Sequence, residues 1–108
     1  MAIAPLEILV SNSVYRYSFN DPPAMQDVEA TIAVALFGTA AIHGESRARM
    51  DARYVIDVER RTCVIDSSTD AGQHLNALFT EYCRRTFGED AFRIERLADG
   101  GVGERSAA

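Results

Sequence analysis

Along this chain a two-residue period of hydrophobic and polar positions gives way twice to a three-to-four-residue period and returns each time. In residues 6–19, Leu6, Ile8 and Val10 alternate with Glu7 and Leu9; after Ser11-Asn12-Ser13, Tyr15, Tyr17 and Phe19 share one side and Val14, Arg16 and Ser18 the other. This predicts either one long bulged strand or a short strand followed by a main one. Asn20-Asp21-Pro22-Pro23 reads as a helix start, with Asp21 as cap and Pro22 at the first helical position, where a missing N–H is not needed. From Met25 the spacing is helical. Met25, Val28, Ile32, Ala35 and Leu36 form one stripe, and Ala30, Val34, Phe37 and Ala41 a second beside it. Apart from Thr31 and Thr39, polar residues before His43 occur only in the first turns (Gln26, Asp27, Glu29), so this helix is apolar nearly all round and calls for cover on more than one side. It ends at Gly38 or runs on to Gly44.

Residues 45–58 alternate again. Ala48, Met50, Ala52, Tyr54 and Ile56 make an apolar side, and Arg47, Arg49, Asp51, Arg53 and Asp57 a polar one, which predicts a long strand. A turn around Glu59-Arg60 leads to a strand at residues 62–66. Pairing Asp57 with Thr62 sets Ile56 against Cys63, Tyr54 against Ile65 and Arg53 against Asp66; only this register keeps the apolar residues of both strands on one side. Asp70 with Gln73 reads as a capping box for a second helix over residues 71–87. Its stripe is Leu75, Leu78, Phe79 and Tyr82, with Cys83 and Phe87 at the edge. Arg84 and Arg85 suit its C-terminal dipole, and Gly88 suits the residue after its end. Residues 91–97 alternate as a last strand.

The order is strand–helix–strand–strand–helix–strand. Two tandem halves of this kind imply an α+β domain of the ferredoxin-like βαββαβ type, an antiparallel sheet with two helices on one face and a possible extra N-terminal strand. The other sheet face is left open. The expected core is Val28, Ile32, Leu36, Met50, Tyr54, Ile56, Cys63, Ile65, Leu75, Phe79, Tyr82, Phe92 and Ile94. One domain over residues 1–98 and a disordered Gly/Ala-rich tail over 99–108 account for the 108 residues.

The net charge of −5 lacks the basic footprint of a nucleic-acid binder, so no nucleic-acid partner is expected. All eleven basic residues are Arg, planar forks suited to carboxylate or phosphate. The uncharged stretch 30–44 falls short of the ~20 residues needed to span a bilayer, and the N-terminus lacks the basic start of a secretory signal. No membrane partner is expected, and the two well-separated cysteines fit reduced thiols in the cytoplasm.

Four groups of residues bear side chains capable of chemistry. His43-Gly44-Glu45 pairs a proton-transfer group with a carboxylate, but reads as a turn. Cys63, Cys83, His43 and His74 match no short-range metal-ligand spacing and read as core thiols plus two histidines. Asp57, Glu59, Asp66 and Asp70 do not follow a calcium-loop pattern and have structural tasks. No metal or cofactor is therefore expected. The fourth group is a stripe of Arg47, Arg49 and Arg53 on one strand, with Tyr15 from a neighbouring strand and His43 nearby, a candidate surface for an acidic partner or a small anion. Lacking a catalytic set, the chain reads as a small non-enzymatic interaction module, self-assembling or an accessory subunit, which acts through its open sheet face and apolar first helix. The expected partner is another protein or a second copy. The alternative is an anion-binding protein or small enzyme using the Arg47/Arg49 face with His43.

Overall fold

The computed structural model describes residues 14–97, an α+β unit with an open four-stranded antiparallel sheet and three helices. The strands are β1 (Val14–Phe19), β2 (Arg53–Asp57), β3 (Thr62–Asp66) and β4 (Phe92–Leu97), in the order β2-β3-β1-β4. The helices are α1 (Met25–His43), α2 (Glu45–Asp51) and α3 (Asp70–Phe87); one 3-10 turn, Glu89–Ala91, leads into β4. The expected extra strand before residue 14 and the expected tail over 99–108 lie outside the described residues.

The hairpin register holds as read from the alternation: Asp57 is opposite Thr62, Ile56 opposite Cys63, Tyr54 opposite Ile65 and Arg53 opposite Asp66. On β1, Tyr17 faces Cys63 on one side and Ile94 on the other. The opposite sheet face carries rows such as Val55, Val64, Arg16 and Glu95. That face is uncovered and partly charged, with Arg16 Nη2 donating to Glu95 Oε1 at 2.8 Å. This hydrogen bond holds the Glu95 carboxyl below its ordinary value.

Both long helices contribute to the core over the Tyr17 face. Val28, Ile32 and Ala35 of α1 and Leu75, Phe79 and Cys83 of α3 are buried with Tyr17, Phe19, Cys63 and Ile65. Each large side chain so buried contributes about 1.5–3 kcal/mol. Tyr17 and Phe79 meet edge to face, with ring centroids 4.8 Å apart. The Tyr17 hydroxyl donates to Asn76 Oδ1 at 2.6 Å and shares a 2.5 Å hydrogen bond with Thr80, so its polar end is satisfied inside. Thr39, the one buried polar residue of α1, donates to the Ala35 carbonyl at 2.9 Å. The helices run antiparallel: Gly38 lies against Leu78, and His43, further along α1, meets His74, earlier on α3.

Four expectations are corrected. Residues 45–51 form α2 and not the first half of a strand. Alternation over ESRARMD also fits a helix whose single buried residue is Ala48, and the i,i+4 pairs Glu45–Arg49 and Arg47–Asp51 close on that helix. The predicted core member Met50 is consequently 68% exposed; Tyr54 and Ile94 are also exposed, while Tyr17, Phe19 and Met25 are buried core residues outside the predicted set. α1 runs through Gly38 to His43 and starts one turn later than expected, with Ala24 and not Asp21 at its cap position. The α3 cap is Thr69, whose Oγ1 accepts from Gly72 N at 2.9 Å, and Asp70 is the first helical residue.

Candidate functional site

α1 has two unlike long sides. Its buried stripe, Met25, Val28, Ile32, Ala35 and Thr39, is part of the core. Its opposite side, Ala30, Ala33, Val34, Phe37 and Ala41, is exposed throughout, with Phe37 78% and Val34 56% exposed. These positions follow the spacing of one helix face, and none carries a charge. By length and composition alone α1 is apolar enough to cross a membrane, yet its buried stripe is committed to the domain interior.

Beside this side lies a groove of about 280 Å³. Ala33, Leu36, Phe37 and Ala40 form its α1 wall; Glu45, Ala48, Arg49 and Tyr54 form the other. Gly44 sets that second wall. With φ +94 it stands in a backbone region open mainly to glycine, and it both ends α1 and begins α2, folding the short helix back beside the long one.

The helical state of residues 45–51 breaks up the arginine stripe. Two residues apart on a helix, Arg47 and Arg49 point about 200° apart. Each has its own acid: Arg47 Nε is 3.7 Å from Asp51 Oδ2, and Arg49 Nη2 is 3.1 Å from Glu45 Oε2. Arg47 and His43 line one shallow depression, whereas Arg49 and Arg53 line another beside Tyr54 and Val64. Arg53 lies opposite Asp66 in the register but donates to the Met50 carbonyl at 3.5 Å, and Asp66 Oδ1 accepts from Ser68 N at 3.0 Å. Tyr15 is separated from β2 by β3 and packs on the helix-covered side against the core. The five residues therefore do not form one face.

His43 pairs with His74 and not with its sequence neighbour Glu45. Its Nε2 lies 3.2 Å from His74 Nδ1, a bond that joins the end of α1 to the second turn of α3. Among the described residues no three His, Cys, Asp or Glu side chains converge as a metal set, and no buried side-chain nitrogen or oxygen lacks a hydrogen-bond partner. Cys63 and Cys83 are free, buried thiols, and burial pushes both up to about 12. At neutral pH they are protonated, which suits packing and not nucleophilic attack.

Sequence reasoning also missed Arg61. This residue of the β2–β3 turn has φ +57, and its guanidinium donates to the carbonyls of Phe19, Asn20 and Pro23, clamping the loop that precedes α1. Pro23 offers a carbonyl without an N–H group, an acceptor that an Arg fork matches, but only the folded register brings the two together.

Compared with protein-family models, with curated proteins and with solved structures, the chain matches none.

Proposed function

We propose that this chain is a small non-enzymatic protein-interaction module that works through the uncharged outer side of α1. The observation that carries the reading is Phe37, 78% exposed in the middle of a side without a single charge. A large aromatic that faces water along with Val34 and three flanking alanines fits a partner-binding surface better than an ordinary solvated face. The open sheet face, the other surface expected to serve, is less suitable because the Arg16–Glu95 pair crosses its middle row. Two free thiols held protonated in the core are compatible with a reducing compartment such as the cytoplasm. In this reading the β2-β3-β1-β4 order is a ferredoxin-like arrangement with α2 inserted ahead of β2.

Photo-crosslinking tests the reading. A benzoylphenylalanine at position 37 is expected to trap protein in cells, and the same group at position 55 on the open sheet is expected to trap far less. Equal yields from both positions, or none from position 37, would overturn it.

A further inference from the structure

We infer that His43 and His74 form a binding site for one divalent first-row transition ion, of the zinc or copper class, held between His43 Nε2 and His74 Nδ1. The site is separate from the outer side of α1 and does not depend on it. These are the only two histidines of the chain. They stand 31 residues apart, so no local ligand spacing announces them; the antiparallel packing of α1 on α3 sets them nitrogen to nitrogen at 3.2 Å. An ion that binds imidazole at about 2.0–2.1 Å with a tetrahedral angle needs its two nitrogens about 3.3–3.4 Å apart. The pair therefore already has nearly the separation of two ligands on one ion. The ring planes cross at 75°, with centroids 5.2 Å apart, so neither ring covers the face of the other.

Both rings are half-buried and open onto one depression of about 380 Å³, lined by His43, Asp70, Gln73, His74 and Ala77. Asp70 lies four residues before His74, on the same side of α3. Among the described residues no third His, Cys, Asp or Glu converges on the pair, so the two imidazoles are the protein ligands and water takes the remaining positions. The Asp70 carboxylate and the Gln73 amide line the same depression, where negative charge and oxygen acceptors suit an ion that carries water. Ring nitrogens select zinc, copper or nickel over magnesium and calcium, which prefer oxygen. In the hydrogen-bonded pair one facing nitrogen donates and the other accepts. When an ion binds, that shared proton moves to the far nitrogen of its own ring, and two neutral imidazoles present their lone pairs. The two thiols are buried in the core and take no part. A site with two protein ligands is open and exchanging, which fits a dissociation constant in the micromolar range and not the tight hold of a closed four-ligand site.

The test titrates the full chain, without any affinity tag, with zinc chloride by calorimetry and follows the imidazole rings by long-range proton–nitrogen correlation spectra. One zinc ion per chain is expected, and the resonances of His43 Nε2 and His74 Nδ1 are expected to shift together as it binds. Zinc at tenfold excess over its dissociation constant is expected to raise the melting temperature by about 5 °C, because it ties the end of α1 to α3. His43→Gln and His74→Gln are each expected to weaken zinc binding tenfold or more with the circular-dichroism spectrum kept, and a Cys63→Ala, Cys83→Ala double variant to leave it unchanged. Should a glutamine variant fail to fold, the two ring shifts of the wild type decide alone. Absence of zinc uptake at about 1 mM would overturn the inference. So would uptake that shifts only one ring or neither, or that is lost in the thiol variant. Magnesium binding as tightly as zinc would overturn it in favour of an acidic surface patch.

Discussion

Gly72 is the third residue of α3, and intrinsic helix preference alone makes Gly72→Ala a stabilising change of about 1 kcal/mol. The structure reverses that sign. A Cβ at position 72 would lie 2.3 Å from the carbonyl oxygen of Asp66 and 3.2 Å from the Ser67 Cα, both backbone atoms at the end of β3. Relief requires a movement of about 1 Å, judged against ordinary non-bonded separations. Asp66 is held by pairing with both Val14 and Arg53, and Gly72 N by its bond to Thr69, so neither side yields freely. Overpacking of this kind costs about 1–3 kcal/mol, and a loosened cap adds about 1 kcal/mol. Set against the helix-preference gain, the net expected loss is about 2 kcal/mol. Urea unfolding followed by circular dichroism measures it, with Gly38→Ala as the comparison. There the nearest atom, 3.1 Å away, is the end of the flexible Leu78 side chain, and stability is expected to change little. A Gly72→Ala protein as stable as the wild type would refute the close packing of α3 on the end of β3.

Truncation of Ile32 or Phe79, both buried, to Ala is expected to cost about 2–5 kcal/mol in the same assay, whereas Met50→Ala should cost less than about 0.5 kcal/mol; a large loss at Met50 would restore the strand reading of residues 45–51. Cys63 and Cys83 go from an ordinary value of 9.0 to about 12 on folding, so the unfolded chain releases these protons first and stability falls as pH rises through the window from about 9 to about 12. Alkaline titration of the melting temperature is expected to show that fall, and a Cys63→Ala, Cys83→Ala double variant to show a shallower one; identical slopes would contradict the assignment. Replacing Arg47 and Arg49 by Ala removes two exposed i,i+4 ion pairs and is expected to change stability by less than about 1 kcal/mol, with no change in phosphate affinity by calorimetry; a marked loss of phosphate binding would revive the anion-site alternative.

The β2–β3 hairpin was legible because a one-residue slip would turn Ile56, Cys63 and Ile65 outward, so the alternation admits one register. The buried stripes of α1 and α3 were legible for a similar reason, since Val28, Ile32, Leu75 and Phe79 recur at helical spacing. Residues 45–51 were ambiguous in principle. A seven-residue helix with one buried residue has almost no apolar period, and its two i,i+4 ion pairs were the signal that could have been used. The cap of α3 was missed by one residue because Thr69 and Asp70 are both good caps, and the deciding bond, from Thr69 Oγ1 to the Asp51 carbonyl at 2.9 Å, joins residues far apart in sequence. Tyr17 and Phe19 were left out of the expected core because local alternation places them on a side but does not say that β1 is an inner strand. As to the candidate site, the uncharged second stripe of α1 was visible in the sequence. The arginine surface was an artefact of the assumed period.

The inner position of β1 has a consequence for how the chain folds. Both of its sheet neighbours among the described residues come later in the sequence, β3 at 62–66 and β4 at 92–97, so within residues 14–97 this strand has no local pairing to form with. Only the β2–β3 hairpin closes over a short loop, which makes it and the two helices the natural early structure. Until β4 arrives, β1 presents an unpaired edge and the Tyr17–Phe19 aromatic side lacks its Phe92 neighbour. A nascent or clipped chain that stops short of residue 92 therefore exposes a hydrophobic strand edge, the kind of surface that recruits other chains into aggregates. Within residues 14–97, β4 is what makes β1 safe.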